Sequence, residues 1–104
     1  MKEGVCLNLY MDLNQKHHGV LLYEWILNTV KKEKFLGATV FKAIAGCGKS
    51  GKIKEEHFVE LGGKVPVMVS LVVTKEQKTL FLSLLDEEKI NLFFTESIIN
   101  FSNS

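Results

Sequence analysis

GATVFKAIAGCGKSGK, residues 37–52, is a strand pattern that runs into a basic, glycine-rich turn. In residues 37–45 the side chains of alternate positions fall on opposite sides, with Val40 on one side and Thr39 and Phe41 on the other, which predicts a β-strand. The next strand pattern begins only after residue 64, so the connection 46–64 is several times longer than the usual hairpin loop of about 2–5 residues. Connections of this length are usually functional or disordered, and we expect its interior, 53–61, to form a short helix or turn.

The turn at 46–52 combines glycines with lysines. Glycine permits positive φ and close approach of a ligand to the backbone, and successive free N–H groups in such a turn can bind an anion. Gly46 and Gly48, with Lys49 and Lys52, therefore form a candidate phosphate site. A flexible loop kept soluble by its lysines explains the same residues, and composition alone slightly favours that simpler interpretation.

Residues 43–50 also match a relaxed P-loop pattern, A-x-x-x-x-G-K-S. A P-loop requires a helix directly after the Lys-Ser pair, because the helix N-terminus binds the phosphates. Here Gly51 follows at once, and no later strand ends in an acidic residue suited to Mg²⁺. Since we also find no nucleophile or base in a catalytic pattern, we do not expect an enzyme and assign no catalytic residue.

Periodicity and capping signals predict the other elements. Alternating apolar residues indicate strands, apolar residues spaced three and four apart indicate helices, and Thr74-x-x-Gln77 is a capping box that opens the second helix. The predicted elements are strands at 5–12, 65–73 and 92–101, and helices at 20–34 and 74–85. The order β-α-β-β-α-β predicts one α+β domain over residues 1–104, a ferredoxin-like sandwich with a four-stranded antiparallel sheet, two helices on one face and a long loop between strands 2 and 3.

The sheet face without helices is expected to carry Tyr10, Cys6 and Phe41 beside aliphatic residues. A face of this composition is too apolar to remain in water. We therefore expect self-association through this face in a closed ring.

Composition narrows the function class. A chain of 104 residues with a net charge of +1 fits one domain and lacks the basic bias of a nucleic-acid binder. It has no apolar run of the roughly 18 residues that a membrane span needs. Two cysteines outside any C-x-x-C pair, with no visible signal peptide, predict a cytoplasmic protein.

His17 and His18 are adjacent, in a stretch that we expect to be a polar loop. Adjacent side chains point apart on regular structure, so we interpret the pair as solvated loop histidines and assign no metal site. A metal-responsive trimer of the cation-tolerance type is an alternative, with Cys47, His57 and the two adjacent histidines as its soft ligands. Their spacing matches no standard site.

Three motifs together resemble one protein family. They are Gly-Ala-Thr-Val at 37–40, Gly-Cys-Gly-x-x-Gly-Lys-Ile at 46–53 and Val-Pro-Val at 65–67, with Leu-Tyr-Glu at 22–24 near the start of the first helix. The chain resembles the PII-like domain proteins, relatives of the PII nitrogen-regulatory signal proteins, over residues 5–101.

The resemblance implies a non-enzymatic trimeric signalling protein. It implies effector clefts between subunits, with an adenine nucleotide as candidate effector and no firm cofactor, and a mobile loop, here 46–64, that contacts an unknown protein partner. By position, Thr39, Gly46, Cys47, Gly48 and Lys49 would border the cleft. The acidic segment 86–91 stands where PII proteins carry a second glycine-rich phosphate loop, so a smaller nucleotide or another anion fits better than ATP.

Overall fold

The structure is a computed structural model that describes residues 1–47, 53–54 and 64–102, with the side chains of residues 47, 53 and 54 outside the description. Its elements in chain order are β1 (Lys2–Asp12), β2 (Lys16–His17), β3 (Val20–Leu21), α1 (Leu22–Lys32), β4 (Gly37–Lys42), β5 (Gly46–Cys47), β6 (Ile53–Lys54), β7 (Pro66–Val73), α2 (Lys75–Glu87) and β8 (Phe93–Phe101). No helix among the described residues is long and apolar enough to cross a bilayer.

Four strands form one antiparallel sheet in the order β4-β7-β1-β8, and two helices complete the fold. The predicted α+β class is confirmed, and the arrangement is compatible with a ferredoxin-like fold. Alternation in β1 and β7 follows the prediction, because every second side chain is buried under the helices. The core includes Leu7, Leu9, Leu71 and Val69 from the sheet, with Ile26 of α1 and Phe81 and Leu85 of α2.

The capping box that predicts the start of α2 is present. The Gln77 N–H donates to Thr74 Oγ1 at 3.1 Å, and the Thr74 N–H donates to Gln77 Oε1 at 2.9 Å. These two bonds satisfy backbone donors that a helix N-terminus would otherwise leave free. The helix runs to Glu87, two residues beyond the predicted end.

Three local expectations need correction. Helix α1 begins at Leu22 and ends at Lys32, inside the predicted range 20–34, because Lys34 adopts a left-handed conformation with φ of 56°. The expected polar loop before α1 contains a small hairpin, β2–β3. Within the long connection, residues 53–54 form strand β6 paired with β5 instead of opening a helix or turn, and the rest of the predicted range, 55–61, lies outside the described residues.

The ends of several elements meet at one end of the sheet, which we call the loop end. Register pairs Asp12 at the end of β1 with Pro66 at the start of β7, and Lys42 at the end of β4 with Val67. Helix α2 starts at the far end, after β7, and returns to the loop end. The residues that open and close the long connection, 43–47 and 64–65, therefore lie at the same end of the molecule as the β2–β3 hairpin, and the Leu13 N–H donates to the Val65 carbonyl at 2.7 Å.

Candidate functional site

The predicted phosphate turn begins at the end of β4. The Ala43 N–H donates to the Pro66 carbonyl at 2.9 Å, which holds the base of the long connection against β7. Beyond it, Gly46 pairs with Lys54 and Cys47 pairs with Ile53 in the short β5–β6 ladder. The predicted anion contacts of Gly48, Lys49 and Lys52 fall in residues 48–52, which lie outside the described residues, so that part of the site stays a prediction.

Gly46 has no close neighbour among the described residues. A Cβ placed there would meet none of their atoms within 4 Å, and Gly46 is not among the described residues with positive φ. Its backbone conformation therefore does not by itself require glycine.

Thr39 is exposed on the sheet face opposite the helices, which we call the open face. Register pairs Thr39 with Ser70 of β7. Ser70 also pairs with Asn8 of β1, and Asn8 pairs with Thr95 of β8. Cys6, half-buried on the same face, donates its S–H to Asn8 Oδ1 at 3.7 Å and lies 3.5 Å from Ser70 Oγ. The structure thus assembles a polar row across all four strands, which the prediction of Thr39 alone did not include.

An apolar row lies beside the polar row, toward the loop end. Register joins Phe41, Met68, Tyr10 and Phe93 across the four strands of the sheet. Phe41 is 51% exposed, Tyr10 40% and Phe93 72%, and the rings of Tyr10 and Phe93 are 5.5 Å apart. The expectation of Tyr10 and Phe41 on an uncovered face is met, and Phe93 extends the apolar row to the other edge of the sheet.

A second cluster lies on the helix side of the sheet. His17 Nε2 is 2.8 Å from Glu88 Oε1, and the ring of His18 packs edge-on against the ring of His17 with centroids 4.2 Å apart. Adjacent side chains point apart on regular structure, but here the two rings contact each other, because only His17 lies in a strand, β2, and His18 is left-handed. His18 and Gly19 have φ of 51° and 80° and form the two-residue loop between β2 and β3, which folds the chain back at this pair.

The cluster is held by both helices. The ring of His17 is 5.5 Å from that of Trp25 in α1, and the His17 side chain is only 12% exposed. Glu88 is the C-cap residue of α2, and its side chain is 39% exposed. A groove of about 310 Å³ opens beside it between the helices. Its lining residues are Trp25, Asn28, Thr29, Lys32, Glu33, Leu84 and Glu88.

The hydrogen bond from His17 lowers the pKa of the Glu88 carboxyl group, and the charges of His17 and His18 act in the same direction. Because an ionised carboxylate can only accept, His17 Nε2 donates in this pair. Partial desolvation of Glu88 raises its pKa, but this effect is smaller than that of the hydrogen bond.

Sequence reasoning missed Glu88, because it lies 71 residues from His17 and no local pattern connects the two. The turn at His18-Gly19, in contrast, could have been predicted from the sequence. Histidine is one of the residues enriched in the left-handed region, and a His-Gly pair can fill a two-residue hairpin loop in the way that Asn-Gly does.

Residues 4–98 match the DUF190 family, described as "Uncharacterized ACR, COG1993". The chain belongs to this family. It is 32% identical over 76 residues to a UPF0166 protein of Aquifex aeolicus, covering 73% of this chain and 72% of that relative. It is 33% identical over 76 residues to the UPF0166 protein MJ1524 of Methanocaldococcus jannaschii, covering 73% and 69%.

The DUF190 match extends from β1 to β8. It therefore includes the open face, the start of the long connection and the His17–Glu88 cluster. The names of the two relatives state no substrate, ligand or partner.

Proposed function

We propose that this DUF190 chain is a PII-like regulatory protein, a homotrimer that binds a small anionic effector in clefts between its subunits. An adenine nucleotide is the first candidate effector. The observation that carries the proposal is the exposed apolar row Phe41, Met68, Tyr10 and Phe93, which crosses all four strands. Two of these strands, β4 and β7, flank the connection that contains the glycine turn. The sequence resemblance to PII-like domains supports the same conclusion.

The assembly follows from the one-sided sheet. Helices cover one face, while three large side chains of the apolar row are 40% exposed or more on the other. Copies of this chain arranged about a three-fold axis, with their open faces inward, would bury the row in a closed and soluble assembly. Since Thr39 lies two residues from Phe41 on the same face, a neighbouring subunit would then lie close to Thr39 and to the start of the long connection.

The charges around the long connection favour an anionic effector. Lys42 and Lys64 are exposed at the two ends of the long connection, and Lys49 and Lys52 lie within it. Backbone N–H groups of a glycine turn surrounded by ammonium groups suit a phosphate. The end of α2 carries Asp86, Glu87 and Glu88 and no basic residue in its last described turn, which favours one or two phosphates over a triphosphate at this end of the molecule.

Effector binding would order the connection 46–64 and change its affinity for a protein partner. Such a change is a population shift, in which the effector prefers one arrangement of the segment. The chain acts in this proposal by binding and not by catalysis.

Isothermal titration calorimetry with AMP, ADP, ATP and cyclic dinucleotides tests the effector. We expect heat with at least one adenine nucleotide, loss of that heat in Lys49→Ala and no change in Lys31→Ala, a matched control on the exposed side of α1. Absence of heat with every nucleotide contradicts nucleotide binding. Product formation in the same samples, lost in Lys49→Ala, would contradict the non-enzymatic part of the proposal.

A further inference from the structure

We propose that His17, His18 and Glu88 form a binding site for one divalent transition-metal ion, with Zn²⁺ as the ion that fits best. The site lies on the helix side of the sheet and is separate from the open face. It needs only one copy of the chain and does not depend on the proposed effector.

The ligand set and its spacing support zinc. One ligand atom from each of the three residues lies within 4.8 Å of the others. Within the described chain, these are the residues whose ligand atoms come close enough together for three of them to hold one metal ion. Two imidazoles and one carboxylate are zinc ligands, with metal–ligand distances of about 2.0–2.2 Å, so ligand atoms around a tetrahedral ion lie roughly 3.3 Å apart. Insertion of the ion would move His17 Nε2 and Glu88 Oε1 apart from their 2.8 Å hydrogen bond and draw His18 inward.

The ligands come from elements whose positions are already fixed. The left-handed conformation at His18, followed by Gly19, makes the tight loop that brings the two adjacent rings together. Packing against Trp25 limits the movement of the His17 ring. A site in which two of three ligands are positioned in advance loses less conformational entropy on binding.

The local charge favours a cation. Glu88 is the C-cap residue of α2, and the C-terminal end of a helix carries partial negative charge from its free carbonyl groups. The described last turn of α2 has no basic residue. Three carboxylates at this end, Asp86, Glu87 and Glu88, outnumber the two lysines that accompany them, Lys89 next in the chain and Lys32 in the groove. Zn²⁺ would bring two positive charges to this end of the helix.

Three protein ligands leave one tetrahedral position for a water molecule or a small ligand. Glu88 also lines the groove between α1 and α2, so we expect the open position to be reached from that side. A bound ion would also join the β2–β3 hairpin to the end of α2 at the loop end of the molecule. The site is therefore suited to sensing an ion or to stabilising this end of the fold.

Zinc titration of metal-free, untagged protein tests the site. Cys47→Ser and His57→Ala form the background, so that soft ligands of the long connection are removed. We expect one Zn²⁺ per chain, and at least about tenfold weaker binding in Glu88→Gln and in His18→Asn, because each removes one ligand. Asparagine also favours the left-handed conformation of the turn, so His18→Asn tests the ligand and preserves the backbone.

Glu87→Gln is the matched control, since it removes the neighbouring exposed carboxylate, and it is expected to bind Zn²⁺ like the background protein. Co²⁺ gives a second readout, because visible absorption typical of a tetrahedral ion should appear and be lost in both ligand variants. Absence of Zn²⁺ binding by the background protein overturns the proposal. Unchanged affinity in either Glu88→Gln or His18→Asn overturns it as well.

Discussion

Gly4 lies in the central strand β1, where the chain has no room for a side chain. A Cβ at this position would be 2.9 Å from Phe101 Cε1 and 2.9 Å from the Val73 carbonyl oxygen. The ring can turn, but the carbonyl belongs to the neighbouring strand and cannot move without disturbing the sheet. We therefore expect Gly4→Ala to lower the free energy of unfolding by about 1–3 kcal/mol, measured by urea denaturation.

Gly37→Ala is the control for Gly4→Ala. A Cβ at Gly37 meets no atom within 4 Å, so its effect should stay within about 0.5 kcal/mol. Equal stability of Gly4→Ala and the wild-type protein would show that β1 and β7 are packed less closely at this point than the structure indicates.

Glu88 should contribute to the acid sensitivity of the protein. Its pKa is lowered in the folded state, first by the hydrogen bond from His17. A lowered carboxyl pKa stabilises the folded state above the unfolded value of about 4.3, and this stabilisation is lost as the pH falls through the folded pKa. In a chelator, we expect the melting temperature of Glu88→Gln to fall less between neutral pH and pH values below about 4 than that of the wild type.

Glu87 makes no hydrogen bond to a histidine within the described chain. The melting temperature of Glu87→Gln should therefore depend on pH as that of the wild type does. If Glu88→Gln and the wild type lose stability in parallel on acidification, the His17–Glu88 pair does not form in solution. The pair itself could not be predicted from sequence, because the chain brings residues 17 and 88 together only after β1, α1 and α2 have packed.

The two helices of the fold end in the same way. In α1 the Lys34 N–H donates to the Lys31 carbonyl and the Phe35 N–H to the Val30 carbonyl. In α2 the corresponding bonds run from Lys89 to Asp86 and from Ile90 to Leu85. This is the Schellman pattern, in which the residue after the C-cap is left-handed. Lysine occupies that position in both helices, with φ of 56°, where glycine is usual.

Lys34→Gly should therefore stabilise the protein. A left-handed backbone conformation costs a non-glycine residue roughly 1–2 kcal/mol, which glycine would avoid. The greater freedom of glycine in the unfolded chain offsets about 0.4–1 kcal/mol of this stabilisation. We expect a net increase of roughly 0.5–1 kcal/mol in the free energy of unfolding, measured by urea denaturation. Lys32→Gly, inside the last turn of α1, should instead cost up to about 1 kcal/mol, and a loss of stability in Lys34→Gly would contradict the assigned helix end.

Long elements were predictable and short ones were not. Alternation over eight or more residues identified β1 and β7, and the Thr74–Gln77 capping box placed the start of α2. The ends of both helices were misplaced because the expected glycine signal is absent at Lys34 and Lys89. The two-residue strands β2, β3, β5 and β6 are too short for any periodic pattern, so their pairing depends on turn geometry and on the rest of the fold.

The whole molecule has one covered sheet face and one open face. The expected apolar character of the open face was correct, but its arrangement was not foreseen, because register decides which side chains share a row. Pairing places the polar row of Thr39, Ser70, Asn8 and Thr95 directly beside the apolar row. The candidate anion site stays a prediction, since Gly48, Lys49 and Lys52 lie outside the described residues.

At the scale of the whole molecule, we expect copies of the chain to bury the apolar row between them. Replacing Phe41 and Phe93 together by serine should break the assembly without touching the core, because both rings are largely exposed in the single chain. Leu80→Ser is the matched control, since Leu80 is also exposed but lies on α2, away from the open face.

Native mass spectrometry at micromolar concentration measures this assembly most directly. For the wild-type chain of 11.7 kDa and for Leu80→Ser we predict a species of three times the chain mass, and for the Phe41→Ser/Phe93→Ser variant a monomer. A wild-type spectrum that contains only the monomer would contradict the account.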